Sequence, residues 1–176
     1  MATSPASATS TAALPRGIRN HNPGNLRPGP AWQGVVGLDT EPPDPPYLRF
    51  VDPEHGIRAL ARTLISYRER HGIDTLAGVF ARWAPAGDGN DPERYAAAVA
   101  QALGCDPAAP VDLHDPAILA ALAAAITHQE NGVGAGAGAE SSWYPAETYR
   151  RGVTLALGDG APAAAAATTT ATDGEG

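Results

Sequence analysis

The residue in this sequence best placed to do chemistry is Glu130. It follows an amphipathic helical pattern and lies four residues after Ile126, on the same apolar face. It also lies in the last turn before the stop signal Asn131-Gly132, where the helix dipole disfavours negative charge. Both effects disfavour the charged form, and a protonated carboxyl can act as the general acid of glycosidic cleavage. A solvated glutamate at a surface helix end is equally compatible with this position.

A polar segment near the start of the chain has the side chains that a sugar site needs. Residues 19–27 contain three Asn, one His and two Arg. Amide and guanidinium groups on an irregular backbone suit hydrogen bonds to sugar hydroxyl or acetamido groups. The alternative is a set of Asx turns that hold a loop together, and both interpretations stay open. The predicted substrate-binding residues in this segment are Asn20, Asn22, Asn25 and Arg27.

Aromatic and acidic residues supply further candidates for a glycan cleft. Trp32 and Gln33 offer an aromatic face and an amide, although Trp is also a common core residue. Tyr95, just after a predicted helix start, lies either at a cleft edge or in the core. Asp39 and Glu41 are candidates for a second carboxylate across the cleft. An exposed acidic loop is the interpretation that their surroundings favour.

Composition excludes several classes of function. The net charge of -7 argues against a broad nucleic-acid-binding surface. The five His residues show no metal-ligand spacing, so neither a metal nor another cofactor is expected. Cys105, the single cysteine, cannot form an intrachain disulfide. No apolar run is long enough to span a membrane, and the N-terminal segment lacks the charged region of a secretory signal.

The pattern of elements predicts a mostly α (α+β) domain with a small β-hairpin. Low-complexity composition predicts disordered tails at 1–15 and 158–176, with one domain at 16–157 between them. Three Asp-Pro pairs mark helix starts. Residues 16–32 are predicted to form an irregular loop. Strands are predicted at 35–36 and 47–50, and helices at 53–71, 76–83, 92–103, 116–130 and 146–157.

Four motifs carry a resemblance to a known family. They are GIRNHNPGNLR at 17–27, Trp32-Gln33-Gly34, residues 50–59 and residues 128–132. Over about residues 16–157 the chain resembles phage and prophage proteins described as structural or virion proteins, which are related to the muralytic virion protein of enveloped RNA phages. The resemblance implies a lysozyme-like fold and peptidoglycan cleavage. It also implies action at the bacterial cell wall, from a virion or from a prophage-encoded protein in the bacterial cytoplasm, with other virion proteins as partners.

A second resemblance concerns peptidoglycan glucosaminidases and lytic transglycosylases. Their catalytic Glu ends a helix, and the glucosaminidases continue with an Asn-rich strand, a Trp-x-Gly turn and an Asp-Pro-x-Tyr-Ala segment. This sequence has the corresponding motifs at 22–27, 32–34 and 91–96, but the Glu-Asn-Gly helix comes last. We therefore hypothesise a circular permutation of that fold. It places Glu130 at the catalytic acid and Tyr95 at a cleft tyrosine.

The function predicted from the sequence is cleavage of peptidoglycan glycan strands, with Glu130 as general acid and base. Both lytic transglycosylase and muramidase or glucosaminidase chemistry are compatible with it. The alternative is a non-catalytic virion or wall-binding component that keeps only the fold. Peptidase chemistry is disfavoured, because the sequence shows no arrangement of Cys, Ser or metal ligands that would cleave a peptide bond.

Overall fold

The computed structural model describes residues 14–42, 46–134 and 142–158. Two strands pair as a hairpin, and helices make up most of the rest. The strands are β1 (Val35–Asp39) and β2 (Tyr47–Phe50). The helices are α1 (Arg16–Arg19), α2 (Pro53–His71), α3 (Leu76–Trp83), α4 (Pro92–Leu103), α5 (Pro116–Asn131) and α6 (Ala146–Gly158), with a 3-10 turn at Ala86–Asp88. The prediction of a mostly α chain with a small β-hairpin is confirmed; the likeness to lysozyme stays a prediction.

The helix starts lie where the Asp-Pro pairs predicted them, because each aspartate caps free backbone N–H groups. The carboxylate of Asp52 accepts from His55 N at 2.9 Å, and that of Asp91 accepts from Arg94 N at 3.0 Å. Asp115 Oδ1 accepts from two amides of the first turn of α5. Helices α2 and α4 end at Gly72 and Gly104, which have positive φ and directly follow the ends predicted at 71 and 103.

The core is built around α2, which packs against α6, α5 and β2. Helix α3 packs on α4, and α5 packs against α6 and α4. The apolar stripe of α5 is fully buried in this core, so the end of α5 is fixed in position. The largest side chains without solvent exposure include Phe80, Ile57, Leu60, Leu64, Leu119, Leu122 and Ile126.

The hairpin is short and antiparallel, with an irregularity between Val35 and Gly37. Its buried face, Leu48 and Phe50, packs on Ala59 of α2. The 20–27 segment runs beside β2, because Leu48 N donates to Leu26 O at 2.9 Å and Phe50 N donates to Asn20 O at 3.0 Å. The segment is therefore fixed to both the hairpin and the helical core.

The structure differs from the sequence prediction at Arg16–Arg19, which form a helical turn instead of part of an irregular loop. The amides of Ile18 and Arg19 donate to Pro15 O, and Ile18 is buried. A single turn shows no hydrophobic period, so the sequence pattern could not predict it. The predicted disordered tails lie outside the described residues, apart from positions 14, 15 and 158, and stay predictions.

Candidate functional site

The carboxylate of Glu130 lies between two side chains that are distant in sequence. Its Oε2 accepts a hydrogen bond from Asn25 Nδ2 at 3.0 Å, and its Oε1 accepts one from Trp83 Nε1 at 3.1 Å. Glu130 is half-buried in the last turn of α5, so both donors offset part of its lost hydration. Two N–H groups on separate elements fix the direction of the carboxylate. We call Glu130, Asn25 and Trp83 the carboxylate clasp.

The neighbouring Asn131 connects the same end of α5 to residues 17–25. Its Nδ2 donates to Pro23 O at 2.8 Å and to Thr127 O at 2.9 Å. Gly17 leaves the space that the Asn131 and Asn25 side-chain oxygens occupy, since a Cβ at Gly17 would overlap the Asn131 Oδ1 and approach the Asn25 Oδ1 to 2.9 Å. Residues 17–25 are thus packed directly against the end of α5 that carries Glu130.

Asn25 is held in a backbone conformation that suits few residue types. Its φ is +47°, in the left-handed region where Asn is tolerated better than most side chains. Trp83 ends α3 and packs over Gly24, where an added Cβ would lie 3.2 Å from the indole. The positions of both donors of the clasp are therefore restricted by the backbone around them.

An apolar groove of about 370 Å³ lies between residues of α3, α4 and α5. Tyr95 packs against Phe80 with ring centroids 5.9 Å apart and forms part of its wall. Gln129, the residue before Glu130, lines it from α5. We call this the Tyr95 groove; its other lining residues are Ala98, Val99, Ala102, Ala121, Ala124, Ala125 and His128. The predicted cleft tyrosine thus borders a groove that reaches Gln129, whereas none of the three clasp residues lines it.

Two of the predicted sugar-binding asparagines have their amides occupied within the protein. Asn22 is fully buried; its Nδ2 donates to Leu26 O and Leu48 O, each at 2.9 Å, and its Oδ1 accepts from Leu26 N. Asn20 is buried and donates to Asp39 Oδ2 at 2.7 Å. The Asn22–Leu26 bonds hold the loop locally, as in the turn-forming alternative, whereas Asn20 and Asn22 also bind Asp39 and Leu48 of the hairpin. Among the predicted asparagines, the structure places Asn25 against Glu130.

The predicted second carboxylates belong to an arginine cluster on α1. Asp39 Oδ2 lies 3.5 Å from Arg16 Nε and 3.4 Å from Arg19 Nη2, while Glu41 binds Arg19. The hydrogen bond from Asn20 and then the one from the Glu41 amide lower the pKa of Asp39 from 3.8 to about 2. No hydrogen bond or ion pair joins either acid to Glu130 among the described residues.

This cluster predicts a pH dependence of stability. Because the pKa of Asp39 is lower in the folded chain than in the unfolded chain, its contribution is present above pH 4 and is lost as the pH falls from about 4 to about 2. The Asp39→Asn variant is expected to melt at a lower temperature than the wild type at pH 7, and the difference should narrow at pH 2. Thermal unfolding followed by circular dichroism at pH 7, 4 and 2 tests this. An equal difference at all three pH values contradicts it, and Glu41→Gln is the matched control.

Three further predicted residues lie on a different surface. Trp32 is half-buried and packs against the cluster that contains Leu48 and Phe50. Arg27 is exposed, with its guanidinium 5.3 Å from the centroid of the Tyr47 ring. Both line a second groove, which shares no lining residue with the Tyr95 groove. Gln33 is exposed and outside both grooves.

Trp83 is the residue of the clasp that the sequence analysis missed. Its only signal was its position at the end of a helix, directly before Ala84-Pro85. Nothing in that position indicates which carboxylate the indole N–H would meet, because the two residues are 47 positions apart. The described residues contain no group of three or more His, Cys, Asp or Glu arranged to hold a metal ion.

Comparison with known proteins links the chain to a phage. No family model matches it. Over 93 residues it is 42% identical to Protein P5 of Pseudoalteromonas phage PM2. The alignment covers 51% of this chain and 56% of that relative, so the chain spans little more than half of the relative's length. Within the described ranges, none of the helices has the length and hydropathy to cross a bilayer.

Proposed function

We propose that this phage-related chain cleaves the glycan strands of peptidoglycan, with Glu130 as the proton donor. The observation that supports the proposal most directly is the carboxylate clasp. Asn25 Nδ2 and Trp83 Nε1 orient a half-buried carboxylate in the last turn of α5, and the preceding residue, Gln129, lines the Tyr95 groove. Acid-catalysed glycoside cleavage needs a carboxyl that is held in a fixed orientation, and the clasp supplies one on the helix that also lines the Tyr95 groove.

The chemistry that fits this site best is that of a lytic transglycosylase. Glu130 protonates the oxygen that links N-acetylmuramic acid to N-acetylglucosamine, and the bond from that oxygen to the muramic C1 breaks. The muramic 6-hydroxyl then attacks C1 and returns its proton to Glu130, which gives an anhydro end. This route needs one carboxylate, whereas Asp39 and Glu41 are bound to arginines of α1. Hydrolysis by the two-carboxylate route would need one of them to leave that cluster.

A second candidate function is a non-catalytic virion component that binds the cell wall. Two observations favour it. One is the similarity to Protein P5 of phage PM2, which links the chain to a virus but not to an activity. The other is that both oxygens of Glu130 accept hydrogen bonds from the chain itself, across 105 and 47 residues, so the clasp alone could be a structural connection. In this case the partners are other virion proteins and intact sacculi.

Digestion of purified sacculi followed by mass spectrometry of the soluble products separates these functions. Transglycosylase activity is expected to release muropeptides with anhydro-muramic ends, and hydrolysis would release reducing ends. Binding of sacculi without soluble products would contradict the enzymatic proposal and support the wall-binding component. Cut stem peptides on intact glycan would contradict both. Sacculi incubated in buffer alone are the control.

A further inference from the structure

We propose that the second groove is a binding site for an anionic saccharide, a sugar that carries a carboxylate or a phosphate. The groove has a volume of about 370 Å³, which is within the range of small-ligand sites. We call it the Arg62 groove; the residues that carry the argument are Trp32, Arg62, Ser66 and Arg70. It shares no lining residue with the Tyr95 groove, and the proposal does not rest on catalysis by Glu130.

The cationic wall of the groove is a single face of α2. Arg62, Ser66 and Arg70 follow one another at intervals of four residues, so their side chains lie along one stripe of the helix. Among the described residues, neither Arg62 nor Arg70 has a hydrogen bond or an ion pair with another side chain. Arg68 of the same helix, in contrast, binds Asp74. Two unpaired guanidinium groups thus face one groove in a chain whose net charge is -7.

The opposite wall is rigid and carries an aromatic ring. Pro28 and Pro30 restrict the backbone that leads to Trp32. Trp32 packs against the Leu48 and Phe50 cluster, stays partly exposed, and lines the groove. An indole face accepts the C–H face of a sugar ring. The groove therefore pairs a stacking surface with two cations at its other wall.

The charges favour an anion over a neutral sugar. Arg62 and Arg70 are like charges on one face of a helix, and a bound carboxylate or phosphate would reduce their repulsion and offer bidentate hydrogen bonds. The acid on the rim, Glu69, has its Oε1 3.5 Å from His114 Nε2. Arg27 lies on the rim with its guanidinium over Tyr47. A long polyanion such as a nucleic acid is disfavoured by the acidic net charge of the whole chain.

Titrations of the ¹⁵N-labelled full chain, followed by amide and indole NMR shifts, test the site. The probes are N-acetylglucosamine, N-acetylmuramic acid and N-acetylglucosamine 6-phosphate, which share a ring and differ in charge. We expect the anionic sugars to shift the Trp32 indole and Ser66 amide signals, with affinity about tenfold or more above that of the neutral sugar. A response to only one of them identifies the carboxylate or the phosphate as the ligand group. Equal binding of the neutral sugar, or no binding, overturns the proposal.

Variants of α2 supply the matched control. The double variant Arg62→Gln/Arg70→Gln is expected to lose the preference for anionic sugars, and Arg68→Gln is expected to keep it, because Arg68 already binds Asp74. Unchanged binding by the double variant overturns the proposal, as does a single-stranded oligonucleotide that shifts the same signals more strongly than the sugars. Glu130→Gln is expected to keep these shifts. Failure of this site is therefore distinguishable from failure of the proposed catalysis.

Discussion

Replacement of Glu130 by Gln is expected to lower the release of muropeptides from sacculi by about a hundredfold to ten-thousandfold. A general acid contributes an effect of this size, and an amide cannot donate the proton. Gln also offers only one acceptor oxygen to the two donors of the clasp, so either Asn25 or Trp83 loses its partner. We expect a loss of about 1–3 kcal/mol in the free energy of unfolding. Soluble muropeptides and a urea titration measure the two effects separately.

Trp83→Phe is the matched control for that loss of stability. It removes the N–H donor to Glu130 Oε1 and keeps both the carboxylate and an aromatic ring. Its free energy of unfolding should fall by a similar amount, while muropeptide release should fall far less than in Glu130→Gln. If the two variants lose release equally, the clasp is structural. If Glu130→Gln releases muropeptides at the wild-type rate, Glu130 is not the proton donor.

The second large effect concerns Gly56, in the first turns of α2. A Cβ at this position would overlap the backbone carbonyl oxygen of His21 and lie 2.9 Å from the ring of Pro23. Because His21 itself has a φ of +50° and its segment is hydrogen bonded to β2, the backbone has little freedom to move away. Gly56→Ala is therefore expected to cost about 3 kcal/mol or more, at the upper end of overpacking effects, despite the better helix propensity of Ala.

Gly87→Ala is the control for the Gly56 prediction. A Cβ at Gly87 meets no atom within 4 Å, so the free energy of unfolding should stay within about 0.5 kcal/mol of the wild type. Urea denaturation of both variants measures the difference. If Gly56→Ala unfolds at the same urea concentration as the control, the 20–27 segment does not pack on α2 as described. Such a result would also remove the support for the position of Asn25.

The helices that begin at Asp-Pro pairs could be predicted from the sequence, whereas the single turn of α1 could not. Asp52, Asp91 and Asp115 each precede a proline, and the capping bonds that they form are local, within three residues of the cap. The glycine stops of α2 and α4 are local in the same way. The mostly α class and the hairpin could be predicted because hydrophobic periodicity and turn residues act over short distances.

Which polar side chains meet depends on the packing of distant segments and could not be predicted from local patterns. As sugar ligands, Asn20, Asn22 and Asn25 were equivalent candidates in the sequence. In the fold, Asn20 donates to Asp39, Asn22 donates to Leu48 O of β2, and Asn25 donates to Glu130 of α5. Trp83 donates a hydrogen bond to Glu130, and Trp32 lines a groove together with Arg62. Hydrogen bonds across 105 and 47 residues depend on which helices pack together, and the hydrophobic period of a helix does not specify its packing partner. Local sequence patterns predict that Glu130 lies at the end of a helix, and the packing of the helices brings Asn25 and Trp83 within hydrogen-bond distance of its carboxylate.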